Sequence, residues 1–480
     1  MQYRHRLAAV VVGTMSFSGC TLEPKYVRPE APVAIPEHKV VSGIAAEKLG
    51  WRAIFPDPQL QQLIVLALAE NRDLRVAALN VEAAQARYRI QRAELFPTIA
   101  ASATEQAERL PMSVLSASLP GGNASAQGSI VFRSYTAGIG FTNFELDFFG
   151  RIRSLDHADL QQYFSVEENR RSAQIALVAE VANAYLTVLM DQTLLEITRQ
   201  TQRNQGDSYQ LTRKMFEGGT ATELALRQAE STVDTARANS AQYARALAQD
   251  RDALQLLLGA PIPPGIDFSA GLDRPDVVSE VEEAIPSDVL VKRPDVLAAE
   301  HLLKAANADI GAARAAFFPA IELTGSLGSA STELSGLFKH GSLAWTFAPQ
   351  VTVPLFAGGA NRANLRAVKV TRDIAVAQYE KAIQVAFREV ADALAARGYL
   401  DEQLAAQQAV VSASQDAYHL AQMRFRGGVD NYLSELDAQR SLYEAQQQVQ
   451  VVRLQRFENF VTLYKTLGGG LLENTAPEVP

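Results

Sequence analysis

The sequence predicts a mainly α fold with a small β part, built from one unit duplicated in tandem. Three observations carry this prediction: long stretches free of glycine and proline, ordered matches between the two halves, and short segments whose residues alternate in character with a period of two. Of the 480 residues, 48% are apolar and 20% charged, a balance that fills large cores and argues against wholesale disorder. The 45 Lys and Arg against 53 Asp and Glu leave a net charge of −8. A nucleic-acid partner, which needs a basic face, is therefore not expected. No run approaches the roughly 20 apolar residues of a membrane-spanning helix, so a helical membrane protein is not expected either.

At the N-terminus, Arg4 and Arg6 precede a short apolar stretch from Leu7 to Met15, followed by Phe17-Ser18-Gly19-Cys20. This is the pattern of a bacterial export signal spanning residues 1–19, and its apolar part is too short to cross a bilayer. Cys20 is the single cysteine, so no internal disulfide can form. Gly19-Cys20 resembles a lipobox, which makes Cys20 the expected lipidation site and mature N-terminus, although Phe17 stands where an aliphatic residue is usual. A buried structural cysteine is the alternative reading. Thr21 is not the aspartate that marks inner-membrane retention, so the resemblance points to the outer membrane. Pro24, Pro29, Pro32 and Pro36 then favour an extended strap over residues 20–50.

Arg92-Ala93-Glu94-Leu95-Phe96-Pro97 matches Arg314-Ala315-Ala316-Phe317-Phe318-Pro319, and Asp73 matches Asp295, at an offset of 222. Phe148 and Gly150 match Phe356 and Gly358 at 208. Tyr209, Phe216, Gly218, Gly219, Leu224, Leu258 and Gly259 match Tyr418, Phe425, Gly427, Gly428, Leu433, Leu467 and Gly468 at 209. The expected organisation is a first repeat over 51–265, a second over 266–470 and a tail over 471–480. Within each repeat the order is helix, strand, loop, strand, very long helix, turn, helix. The strands are expected at about 97–107 and 134–146, then 319–329 and 344–354. The long helices are expected at about 151–217 and 220–258, then 359–426 and 429–467. Residues 151–205 lack Gly and Pro, and a helix there would reach about 80 Å at 1.5 Å per residue. A compact globule of this chain would have a radius of gyration of only about 23 Å. An elongated helical bundle or barrel follows.

The strands alternate. Tyr135, Ala137, Ile139 and Phe141 are separated by Thr136, Gly138 and Gly140; Trp345, Phe347, Val351 and Val353 contrast with Thr346, Gln350 and Thr352; Ile321 and Leu323 contrast with Glu322 and Thr324. One greasy face suits either a soluble sheet on a core or a barrel with lipid outside and water inside. The flanking helices are far too long to cover so small a sheet, and this favours the barrel. The connection from Glu108 to Arg133, with Pro120-Gly121-Gly122-Asn123, is expected to be an exposed loop.

Together these features resemble the TolC/OprM-type outer-membrane factors of tripartite efflux pumps, in the NodT-like lipoprotein subgroup. The resemblance is carried by the lipobox, Leu49-Gly50-Trp51, the duplicated Phe-Pro pairs, and Glu145-Leu146-Asp147-Phe148-Phe149-Gly150-Arg151. It continues in Arg293-Pro294-Asp295, Arg424-Phe425-Arg426-Gly427-Gly428-Val429-Asp430-Asn431-Tyr432, Leu436-Asp437-Ala438-Gln439-Arg440-Ser441 and Leu467-Gly468-Gly469-Gly470. It implies a homotrimer whose 12-stranded outer-membrane β-barrel continues into a 12-helix periplasmic α-barrel. A periplasmic adaptor and an inner-membrane resistance-nodulation-division pump are its implied partners. Stoichiometry agrees: four strands cannot close a barrel, eight give a filled interior, and three chains give twelve.

Catalysis finds no motif. The six histidines are scattered without metal spacing, and no dinucleotide loop, P-loop or nucleophile elbow occurs. An enzyme is not expected, nor any cofactor beyond a covalent lipid on Cys20.

The informative polar residues lie at the helix reversals. Gly218-Gly219 and Gly427-Gly428 sit where one helical pattern stops and the next starts, which reads as two hairpin tips. Asp430, Leu433 and Asp437 fall at i, i+3 and i+7 and line one face. Taken alone, that face reads as solvated. The resemblance implies instead a periplasmic gate of stacked carboxylate and leucine rings, with the glycine tips docking the adaptor. Asp430 and Asp437 correspond to Ala221 and Gln228 in the first repeat, so the rings would be threefold. The expected function is the outer-membrane exit duct of a multidrug efflux system. A type I protein-secretion duct and a structural periplasmic coiled coil are the alternatives.

Overall fold

The computed structural model describes residues 21–32, 48–117, 127–273, 278 and 291–475. Residues 1–19, Cys20 and the Pro120-Gly121-Gly122-Asn123 stretch lie outside the described residues. The elements run α1 (Trp51–Ile54), α2 (Pro58–Glu70), α3 (Arg72–Ala93), β1 (Ala100–Pro111), α4 (Met112–Ala117), β2 (Ser129–Glu145), α5 (Arg151–Glu217) and α6 (Glu223–Leu258). They continue with α7 (Pro294–Ala315), β3 (Ala320–Ser331), β4 (Leu343–Thr352), α8 (Ala360–Arg426) and α9 (Tyr432–Thr466). The internal matches are structural: α3 and α7 have 22 residues each, α5 and α8 have 67 each, and α6 and α9 have 36 and 35. Gly206 and Gly398 sit inside the two longest helices without breaking them, since an internal glycine costs only about 1 kcal/mol relative to alanine.

Two compact units make up the chain, the first comprising residues 1–28, 84–163 and 302–375. It holds a four-stranded antiparallel sheet in the order β1-β2-β3-β4. The β1–β2 ladder continues to Pro111 opposite Ser129, beyond the loop start expected at Glu108, because main-chain pairing does not require apolar side chains. Ile139, Leu327 and Trp345 fall in one register row across β2, β3 and β4, and Phe141, Gly325 and Phe347 form the next. Gly325 leaves room for the Phe141 ring, which a β-carbon there would meet at 2.8 Å. This apolar face is uncovered: Trp345 is 71% exposed, Ile139 55% and Leu327 52%. The opposite face carries Gly138, Gly140, Ser326, Gly328 and Thr346. Among the described residues nothing packs over this face, as a barrel with lipid outside requires.

The start of the strap, residues 21–28, also belongs to this unit. Gly311 has no side chain where the Glu23 backbone passes, and Arg314 and Asn307 donate to the carbonyls of Leu22 and Pro24 at 3.0 and 2.7 Å. Glu23 meets His157 Nδ1 at 3.0 Å.

The second unit comprises residues 29–83, 164–301 and 376–480. Its core is built on α5, where Val178, Val181, Ala182, Tyr185, Leu186, Val188 and Leu189 are fully buried. An 18-residue window of α5 is apolar enough to cross a membrane, yet more than half of it is buried in the protein, as in a core helix. The recurrent motifs stitch this unit together. Trp51 N–H donates to the Leu472 carbonyl at 2.9 Å, and the Tyr464 hydroxyl to that of Leu49 at 2.8 Å. Buried Arg293 grips Asp295 and Glu389, each at 2.7 Å, and donates to the Thr466 carbonyl. Buried Asp57 accepts from Tyr185 Oη at 2.9 Å while capping α2 through Gln59 N–H.

Candidate gate and docking tips

Both helix reversals use the same construction. After α5, Thr220 N–H donates to the Met215 carbonyl and Gly219 N–H to that of Phe216; after α8, Val429 donates to Arg424 and Gly428 to Phe425. These are Schellman motifs, which need a left-handed residue at the turn. The second glycine of each pair supplies it, with φ of 77° at Gly219 and 71° at Gly428. Gly218 and Gly427 are not in the left-handed region, and a β-carbon there would lie 3.4 and 3.3 Å from a preceding carbonyl oxygen. The next helices are capped at equivalent positions: Thr222 Oγ1 accepts from Ala225 N–H, and Asn431 Oδ1 from Ser434 N–H.

The tips are packed against each other inside the second unit. Ala229, Phe425, Tyr432 and Leu436 form a buried cluster, with Tyr209 and Met215 against it. Phe425 and Tyr432 lie 5.6 Å apart between ring centroids.

The three expected gate residues are not equivalent. Asp430 precedes the α9 cap, and Arg424 donates to both of its oxygens at 2.6 and 2.9 Å. That guanidinium holds the Asp430 carboxyl below the usual carboxylate range. Leu433 and Asp437 are on α9 and exposed. The opposite face of α9 is buried through Tyr432, Glu435, Leu436 and Gln439. Cys20 lies outside the described residues, so its surroundings are not described.

Glu435 was missed by the sequence reading, although positions 432, 435, 436 and 439 follow the i, i+3, i+4, i+7 spacing of a core face. It is 2% exposed, accepts from Ser208 Oγ at 3.2 Å, and its Oε2 has no hydrogen-bond partner. Burial pushes its carboxyl above the ordinary value, against the opposing pull of Ser208, Arg426 and Gln422. Higher in the unit, burial and a hydrogen bond with Asp250 push Asp191 up to about 7. No group of three or more His, Cys, Asp or Glu residues able to hold a metal occurs among the described residues.

A chain with two glycine-turned helix tips and a four-stranded antiparallel sheet has relatives. The Outer membrane efflux protein family matches residues 63–260 and again 285–469, one stretch in each repeat. The chain belongs to that family. It is 47% identical over 477 residues to the probable efflux pump outer membrane protein TtgC of Pseudomonas putida, covering 98% of this chain and 96% of the relative. The antibiotic efflux pump outer membrane protein ArpC of Pseudomonas putida is equally similar, at 47% over the same coverage. Among solved structures, the open state of the Neisseria gonorrhoeae MtrE outer membrane channel superposes with a TM-score of 0.85 at 40% identity, over 95% of this chain and all of that one. The protein is an outer-membrane channel component of an efflux system.

Proposed function

We propose that three copies of this chain form the exit duct of a tripartite multidrug efflux system, anchored by lipid on Cys20 and fed by a periplasmic adaptor and a resistance-nodulation-division pump. The observation that carries this reading is the sheet with an apolar face left bare and both edges, β1 and β4, unpaired among the described residues. Pooling three such sheets closes the edges, turns Trp345, Ile139 and Leu327 to lipid, and lines the lumen with small polar residues. Family membership and the efflux names of the relatives support drugs and other small toxic molecules as cargo.

The duct does no chemistry on its cargo. Its work is to stay shut at rest and open when engaged, and the tips are suited to both tasks. Leu433 and Asp437 narrow the periplasmic end as threefold rings. The Gly219 and Gly428 turns let the backbone of an adaptor approach closely.

Complementation of a strain lacking its outer-membrane efflux component, with the matching adaptor and pump present, tests the reading. Restored drug resistance is the expected result, together with a trimer band that shifts on heating in a gel. A soluble periplasmic protein with no heat-modifiable band would overturn it.

A further inference from the structure

Helices α5 and α9 run antiparallel along a polar seam. Ser208 Oγ donates to Glu435 Oε1 at 3.2 Å, and farther from the tip Thr198 Oγ1 meets Tyr443 Oη at 2.9 Å. Between these rungs, buried Gln205 and Gln439 come to the same level. Three enclosed atoms of the seam lack hydrogen-bond partners: Gln205 Oε1, Glu435 Oε2 and Gln439 Nε2. A cleft of about 290 Å³ lined by Thr201, Asn204, Tyr418, Gln439 and Tyr443 adjoins it. An apolar seam would lock these helices, whereas one with unsatisfied polar atoms is only conditionally stable.

We propose that Glu435 is a proton-operated latch of the tip: neutral, it seals α9 against α5 and keeps the gate shut; ionised, it separates them and opens it. This rests on the duct reading above. Burial leaves an ionised carboxylate in the seam with an Oε2 that accepts no hydrogen bond there, whereas protonation turns that oxygen into a donor. Groups facing Glu435 do not cancel the charge. From α5 come Ser208 and Tyr209; from α8 come Tyr418, Gln422 and Arg426, of which only Arg426 is charged; its own helix contributes Tyr432 and Arg440, and α6 reaches Tyr432 through Thr232. Because burial raises the pKa of Glu435, the shut seam binds the proton more tightly than an open, solvated one. Closure is fully supported below the ordinary glutamate value, and that support is lost as pH rises through the raised value.

The test uses the full-length trimer. In planar bilayers, resting conductance of the wild type should rise several-fold as pH is raised from about 4.5 to 8. Glu435→Gln, which is neutral at every pH, should stay shut and flat across the range. Ser208→Ala removes a donor that favours the ionised form, so its midpoint should move to higher pH. Hydrogen exchange over residues 427–440, corrected for intrinsic rates, should show the same three patterns without depending on conduction. A Glu435→Gln trimer that keeps the wild-type pH response in exchange overturns the latch. Exchange behaving as expected in a wild type that never conducts sustains the latch and overturns the duct.

Discussion

Arg424 clamps Asp430, six positions farther along the chain, through two hydrogen bonds of 2.6 and 2.9 Å. The clamp ties the end of α8 to the start of α9 across the tip. The Arg424 side chain is 57% exposed and that of Asp430 29%, so solvent screens the pair and the clamp shapes the turn more than it stabilises the fold. Arg424→Ala should raise resting conductance several-fold and leave the melting temperature within error. Asp437→Ala should raise conductance as well, by removing a ring residue rather than a turn. Conductance unchanged in both variants would show that neither residue bears on the gate.

The glycine requirement differs within each pair. A β-branched residue at Gly219 or Gly428 is forced into the left-handed region, at a local cost of about 1–3 kcal/mol. Gly428→Val should therefore abolish pump-dependent resistance while trimer yield holds. Bulky substitution at Gly218 or Gly427 meets preceding carbonyls no closer than 3.3 Å and should act chiefly through the docking surface. Normal resistance in all four variants would move the docking surface elsewhere.

Lipidation is tested by labelled palmitate. Label should enter the wild type and not Cys20→Ser, which should still give a folded trimer, released more readily by mild detergent. Folding should persist because burial of the apolar strand faces outweighs one lipid anchor. Equal labelling of both proteins would refute the site.

The strap should respond to pH in the sense opposite to a carboxylate pair. Its hydrogen bond with Glu23 raises the His157 pKa, with Asp156 adding to the effect and desolvation and Lys304 opposing it. The contact is fully present below the ordinary histidine value and is lost as pH rises through the raised one. Hydrogen exchange over residues 21–28, corrected for intrinsic rates, should accelerate severalfold on that rise. In His157→Gln it should be fast and independent of pH; a pH response that persists there would assign it to another group.

Much of the architecture was legible because it depends on local chemistry. Absence of Gly and Pro over residues 151–205 permits an unbroken helix, and Gly218-Gly219 and Gly427-Gly428 permit reversal, whatever else surrounds them. Alternation around Ile139 and Trp345 revealed a two-faced sheet for the same reason. The motif residues were legible as a family signature but not in their roles: Arg293 grips Glu389, 96 positions away, and only packing brings the two together.

By itself, then, the sequence determined the duplication, the helix lengths and the tips, all of which follow from spacing along the chain. Tertiary structure alone decided that the sheet's apolar face is bare, that Arg424 belongs to Asp430, and that Glu435 is buried. That last pairing joins Ser208 and Glu435 across 227 positions. Its register is set by how α5 and α9 lie against each other, and the burial of a charged group depends on that arrangement rather than on its neighbours in the chain.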